Sequence, residues 1–146
     1  MAEIRDPVHG AIFLSEAELA VVDCPVYQRL RNIKQLGFAE MTFPGATHNR
    51  YLHGIGAMHL AGQAFDSVFD GVDWLKGEDR ARFRQMVRLG ALLHDIGHPP
   101  YSHLLETQKV FAKYHSHEHW GRLLLESEET EIGAVVREIL GEDRLG

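Results

Sequence analysis

A single cysteine, Cys24, rules out a disulfide framework within the chain and makes a reducing cytoplasm the expected compartment. No apolar run reaches the roughly eighteen uninterrupted residues that a membrane-spanning helix needs, so no membrane partner is expected. The opening Met1-Ala2-Glu3-Ile4-Arg5-Asp6-Pro7 is charged and reaches a proline at once, unlike a secretory leader. A basic surplus is also missing. Fifteen Lys and Arg stand against 21 Asp and Glu, a net charge of −6, which argues against generic nucleic-acid binding. It still leaves room for a phosphorylated small molecule, because a bound divalent cation can reverse the local field. Repeats, low-complexity tracts and long linkers are absent, and 146 residues suit one domain, expected to occupy residues 1–146.

What the chain has in excess is histidine. There are ten, and His94, His98, His103, His115, His117 and His119 crowd into one short stretch. Histidine is the commonest metal ligand and the usual proton carrier near neutral pH, so this density calls for a site.

Periodicity predicts an all-α fold, a helical bundle with a small N-terminal hairpin as an option. Residues 3–14 carry Pro7 and Gly10 and read as irregular or briefly extended. Ser15-Glu16-Ala17-Glu18 fits a capping box, opening a helix to about Val22. Asp23-Cys24-Pro25 predicts a second start with Asp23 as N-cap, the helix running over 26–36 and stopping at Gly37. After a turn at 43–47, Ala57, Leu60, Ala61, Ala64, Phe65 and Val68 share one face of a helix, with His53 on the same stripe. Residues 71–77 read as a loop. Phe83, Met86, Val87, Gly90 and Ala91 mark the next helix, His94 extends their stripe, and Gly97 and Pro99-Pro100 end it. Two more helices are expected over 118–125 and 131–140.

His53 and His94 are thus expected on the inward faces of two different helices. One such histidine alone is more simply a core residue bonded to a backbone carbonyl. Asp95 changes the balance, because it puts a carboxylate directly after an imidazole at the end of the apolar run Leu89-Gly90-Ala91-Leu92-Leu93. Successive helical residues point about 100° apart, so the two can reach one cation lying against the helix end. A carboxylate there needs a compensating charge, and a divalent metal is an economical one. His98 follows four residues after His94, and His103 lies just past the two prolines.

His48-Asn49-Arg50-Tyr51-Leu52-His53, followed by His94-Asp95-Ile96-Gly97-His98-Pro99-Pro100-Tyr101-Ser102-His103, resembles the HD-domain superfamily. It is most similar in pattern to the deoxynucleoside triphosphate triphosphohydrolases, which include bacterial dGTPases and animal enzymes joining a sterile-alpha-motif to an HD domain. Asp6-Pro7-Val8-His9-Gly10, Tyr27-Gln28-Arg29-Leu30-Arg31, Lys34-Gln35-Leu36-Gly37, Phe43-Pro44-Gly45-Ala46 and His117-Glu118 agree in the same order, so the resemblance spans residues 4–118.

The resemblance implies a metal held by His53, His94 and Asp95, of a kind (Mn, Fe, Mg, Ni or Zn) that imidazole and carboxylate donors leave open. It implies that His103 is the catalytic histidine, supported by His117 and Glu118, with His98 supporting the site. Glu106 stands where the family often has aspartate. Arg50 matches a nucleotide-contacting arginine, the alternative being a surface salt bridge. Gln35 and Leu36 match positions that read the sugar, glutamine at the 3′-hydroxyl and leucine crowding the 2′ carbon, although Leu36 could equally be plain core. Asp23, Gln28 and Arg31 match a guanine-reading regulatory site; against that, Asp23 is also a good N-cap, and Arg5 replaces a small polar residue. A homo-oligomer is implied for the full-length protein. The family's last metal-ligand aspartate has no counterpart motif after Glu118, and Asp143 is not taken as its substitute. The chain is therefore expected to be the N-terminal catalytic part of a longer domain, weak or inactive alone.

Three readings follow: a metal-dependent hydrolase cleaving dNTPs to deoxynucleoside and inorganic triphosphate, another HD phosphohydrolase such as a nucleotidase or phosphodiesterase, or a nucleotide-sensing module without turnover. Gln35-Leu36 and Pro44-Gly45-Ala46 favour the first.

Overall fold

The structure is a computed structural model that describes residues 2–101 and 115–141. It opens with an antiparallel hairpin, β1 (Ala2–Asp6) and β2 (Gly10–Leu14), in register from Ala2 opposite Leu14 to Asp6 opposite Gly10. The Asp6 carboxylate closes the turn by accepting from the backbone N–H groups of Val8 and His9, both at 2.8 Å, and Gly10 takes a left-handed φ of 73°. Ile12 and Leu14 point into the core while Phe13 faces out, the alternation of a half-buried strand.

Helices α1 (Glu16–Asp23) and α2 (Pro25–Gln28) lead into a 3-10 turn at Arg29–Asn32. The predicted capping box is formed. Ser15 Oγ accepts from the Glu18 N–H at 3.2 Å, and Glu18 Oε2 accepts from the Ser15 N–H at 2.9 Å. Two expectations fail next. Cys24, not Asp23, is the N-cap of α2, and Asp23 closes α1. The helix expected over 26–36 breaks up early because its backbone finds a distant partner: Lys34 bridges Asn49, Arg50 N–H donates to Ile33 O at 2.9 Å, and Gln35 N–H donates to His48 O at 3.1 Å. That exchange keeps the backbone bonded while a β-branched residue, Ile33, leaves the helix.

A second 3-10 turn (Gly37–Met41) and a turn at Pro44–Gly45 precede the long helices α3 (Arg50–Val68) and α4 (Gly77–Leu93). These two pack on each other and run in opposite directions: His53 near the start of α3 meets His94 just past the end of α4, while Asp66 near the far end meets Arg80 and Arg84. The predicted stripes are largely misplaced, although Phe65 of the first is buried as expected. In α3 the buried side carries Tyr51, Gly54, Ile55, Met58, Gly62 and Phe65, whereas Leu60 and Val68 are exposed. In α4 it carries Arg88, Leu89, Leu92 and Leu93, whereas Phe83, Met86 and Val87 are exposed. Glycine explains the first error: a Cβ on Gly54 would lie 2.5 Å from Tyr27 Oη and 3.1 Å from Leu92 O, so the bare backbone is the contact surface. A buried charge explains the second. Arg88 forks onto Glu18 (Nε–Oε1 2.5 Å, Nη2–Oε2 2.9 Å) and pins α4 to α1.

After the undescribed stretch, α5 (His117–Glu126) and α6 (Glu131–Leu140) complete the fold. Ile132 and Val136 of α6 join Ile12, Val21, Tyr27, Leu30, Ile55, Met58 and Leu92 in one core. The fold is all-α with a two-stranded hairpin, as expected.

Candidate metal centre

The close approach of α3 and α4 at Gly54 brings His53 and His94 together, with ring centroids 5.1 Å apart. Asp95 follows in the turn after α4, and its carboxylate lies between them. His94 Nε2 is 3.2 Å from Oδ1 and His53 Nε2 is 3.7 Å from Oδ2. One ligand atom from each of the three residues lies within 4.8 Å of the other two. Donors at ~2.0–2.2 Å from a tetrahedral or octahedral cation sit about 3–4 Å from one another, so the spacing suits a first-row metal.

The chemistry of the donors agrees. His94 Nδ1 is 2.8 Å from Ala91 O; donating its proton there leaves Nε2 with a lone pair facing Asp95, the usual orientation of a ligating histidine. Burial pulls the pKa of His53 below the ordinary histidine value, against the raising influence of Asp95, and so favours the neutral imidazole a metal requires. Burial alone would raise the pKa of Asp95. A hydrogen bond from His98 and the charges of Arg50, His94 and His98 instead hold it well below the usual carboxylate value. Arg50, at the first position of α3, donates from Nη1 to Asp95 Oδ2.

The two histidines are not buried as expected. Their side chains are 39% and 42% exposed, against 8% for Asp95 and 3% for Arg50, so the donors open to solvent on the imidazole side and rest on a buried ion pair. The surface salt bridge weighed for Arg50 is overturned: its side chain is 3% exposed and its guanidinium is engaged with the Asp95 carboxylate.

His98 is the most buried of the site's histidines at 1%, with Nε2 3.4 Å from Asp95 Oδ1. Its ring stacks on His117, centroids 3.9 Å apart and planes 12° off parallel. Asp95, His98 and His117 form a second donor group within 4.8 Å, sharing the Asp95 carboxylate with the first. Burial also lowers the His98 pKa, against the hydrogen bond to Asp95. Glu118 is exposed in the first turn of α5. His103, Glu106 and Asp143 lie outside the described residues.

The remaining sequence-marked positions fall in two places. Gln35 sits beside His48 through backbone pairing, and its Oε1 is buried with no hydrogen-bond partner among the described residues. Leu36 is 36% exposed, so it is not plain core. Gln28 and Arg31 are joined, Arg31 Nε donating to Gln28 Oε1 at 2.7 Å, and the Arg31 guanidinium lies 3.6 Å over the Tyr51 ring. Asp23 is exposed and relieved of the capping role that competed with a ligand contact. Sequence reasoning passed over Arg29, although it lies within the Tyr27–Arg31 motif. Its guanidinium reaches the turn that carries Asp95.

The HD domain family matches residues 50–144, a span that holds Arg50, His53, His94 and Asp95. The chain belongs to the HD-domain family. Among curated proteins, this HD domain is 41% identical over 122 residues to an uncharacterised protein of Methanocaldococcus jannaschii, covering 84% of this chain and 23% of that one. It is 40% identical over 106 residues to the deoxynucleoside triphosphate triphosphohydrolase SAMHD1 of Homo sapiens, covering 73% and 17%. It is 38% identical over 104 residues to the SAMHD1 homologue of Dictyostelium discoideum, covering 71% and 20%. The chain therefore spans less than a quarter of the length of these relatives. Among the described residues no helix is long and apolar enough to cross a membrane.

Proposed function

We propose that this HD domain is the metal-binding part of a phosphohydrolase that converts dNTPs to deoxynucleoside and inorganic triphosphate. The observation that carries the reading is the spacing of His53, His94 and Asp95, three donors from α3 and the turn after α4 lying within 4.8 Å of one another. A divalent cation held there supplies Lewis-acid polarisation of a phosphoryl oxygen and lowers the pKa of water. Arg50 keeps the Asp95 carboxylate ionised and oriented. Water attacks the α-phosphorus, the bond from phosphorus to the 5′-oxygen breaks, and the leaving oxygen takes a proton. His103 is assigned that proton, with His117 and Glu118 supporting it and His98 bracing Asp95.

Gln35 and Leu36 are assigned to the sugar. The buried, unpartnered Oε1 of Gln35 supports a polar ligand contact, and the part-exposed Leu36 supports an apolar wall that rejects a 2′-hydroxyl. Asp23, Gln28 and Arg31 are assigned to a regulatory nucleotide, and a homo-oligomer and a cytoplasmic setting complete the reading. The activity for which the human and Dictyostelium relatives are named, dNTP triphosphohydrolase, agrees with it.

The test is product analysis. The full-length protein supplied with Mn or Mg should release deoxynucleoside and triphosphate from each dNTP and act far more slowly on NTPs. Release of monophosphate and pyrophosphate would instead favour a nucleotidase- or phosphodiesterase-like HD enzyme. Nucleotide binding without turnover would favour the sensing module.

A further inference from the structure

We propose that Arg29 is a positioning residue for the metal centre: its two-pronged guanidinium holds the turn from Asp95 to His98 in the shape that presents Asp95 to the two imidazoles. The inference rests on the metal-site reading above. Arg29 Nη1 donates to His98 O at 2.8 Å and Nη2 donates to Ile96 O. Those two carbonyls flank Gly97. Two nearby carbonyls are bonded within the turn itself, Leu93 O by the Ile96 N–H at 3.0 Å and Asp95 O by the His98 N–H at 3.1 Å. Arg29 therefore gives two carbonyls of the turn after α4 a partner from another element.

No carboxylate among the described residues pairs with Arg29. A half-buried cation is costly unless well bonded, and among the described residues the compensation comes from carbonyl dipoles. A rigid planar fork suits two oxygens on one turn in a way a single ammonium does not. The far side of the turn is closed as well. A Cβ on Gly97 would lie 1.9 Å from His117 O and 2.3 Å from Gly121 N, so α5 packs directly on its backbone. The turn is gripped between Arg29 and α5, leaving Asp95 and His98 little freedom to move. Gln28 and Arg31, in the same short segment, do not touch this turn; their contacts run to Val22, Tyr51 and each other.

The experiment compares Arg29→Gln, Arg29→Lys and the distant control Arg84→Gln, at the far end of α3 and α4, with the wild type, with two readouts. The first is Co(II) or Mn(II) titration with the Co(II) ligand-field spectrum. Altering a residue that orients a ligand weakens metal binding about 10–100-fold. Arg29→Gln is therefore expected to lose at least about tenfold in affinity and to change the spectrum, Arg29→Lys to recover only part, and Arg84→Gln to match wild type. The second readout is metal-free: imidazole NMR shifts of His94 and His98 should move in Arg29→Gln while those of His59 stay. Wild-type affinity and spectrum together with unmoved His94 and His98 shifts would overturn the positioning role. If the wild type binds neither ion while the imidazole shifts still respond to Arg29→Gln, the metal reading falls and the positioning role stands.

Discussion

Asp95→Asn separates the structural weight of the Asp95 carboxylate from its role as a donor. The substitution keeps the shape of the side chain and removes its charge. It takes the charge of the Asp95 carboxylate away from the guanidinium of Arg50, which is only 3% exposed. Removing one member of a buried ion pair costs about 3–5 kcal/mol, and an amide that can still accept one hydrogen bond should bring the cost to the lower end, about 3 kcal/mol. For a chain of this size each kcal/mol shifts Tm by about 2–4 °C, so metal-free Asp95→Asn should melt about 6–12 °C below wild type. Arg50→Met alone should also destabilise. The double variant Arg50→Met/Asp95→Asn should be more stable than the two single losses predict, because neither charge is then left uncompensated. Thermal melts of the four proteins in chelator, then with Mn, measure the coupling and the metal stabilisation separately. A single variant melting within about 1 °C of wild type, or losses that simply add, would refute the claim that Arg50 and Asp95 are energetically one unit.

Further outcomes are expected. His53→Ala and His94→Ala should each lose bound metal by elemental analysis, whereas His103→Ala should keep it and lose turnover; equal metal loss in His103→Ala would make that residue a ligand. Because Arg50 also pairs with Asp95, His94→Ala should lose less stability than Asp95→Asn in a chelator melt. Leu36→Ala should narrow the preference for dATP over ATP, read from initial rates on both. Glu18 is buried, which would raise its pKa, but the Arg88 fork holds it below its ordinary 4.5. Its contribution to stability is therefore full above about pH 4.5 and is lost as pH falls through the lowered folded value, and Glu18→Gln should flatten that part of an acid-melting profile.

Local chemistry was legible where a short motif decides its own geometry. Ser15 and Glu18 announced their capping box, and His94-Asp95 announced an imidazole and a carboxylate side by side at a helix end. What the pattern hid was non-local. Ile33 leaves its helix to bond with Arg50, a partner far along the chain. Gly54 and Gly62 carry a buried face without scoring as apolar, and Arg88 occupies a core position because Glu18 meets it there. Hence both stripes were largely misplaced, and yet His53 and His94 still met, because their encounter depends on the crossing of α3 and α4 and not on which apolar residues line it. Arg29 was missed for the same reason: its partners are backbone carbonyls, which leave no trace in side-chain patterns.

The missing side chain at Gly54 acts as a gauge. Where the two helices cross, the gap between the imidazoles is set by how near one backbone can come to Tyr27 Oη and Leu92 O, and a single hydrogen is all that the space admits. The bite presented to a cation is thus governed next door to a ligand, by a residue with no donor atom of its own. Alanine there would act as a shim, prising the jaws apart without touching a ligand. Selectivity among ions of different radius can then be tuned at a position that a search for coordinating residues would never visit.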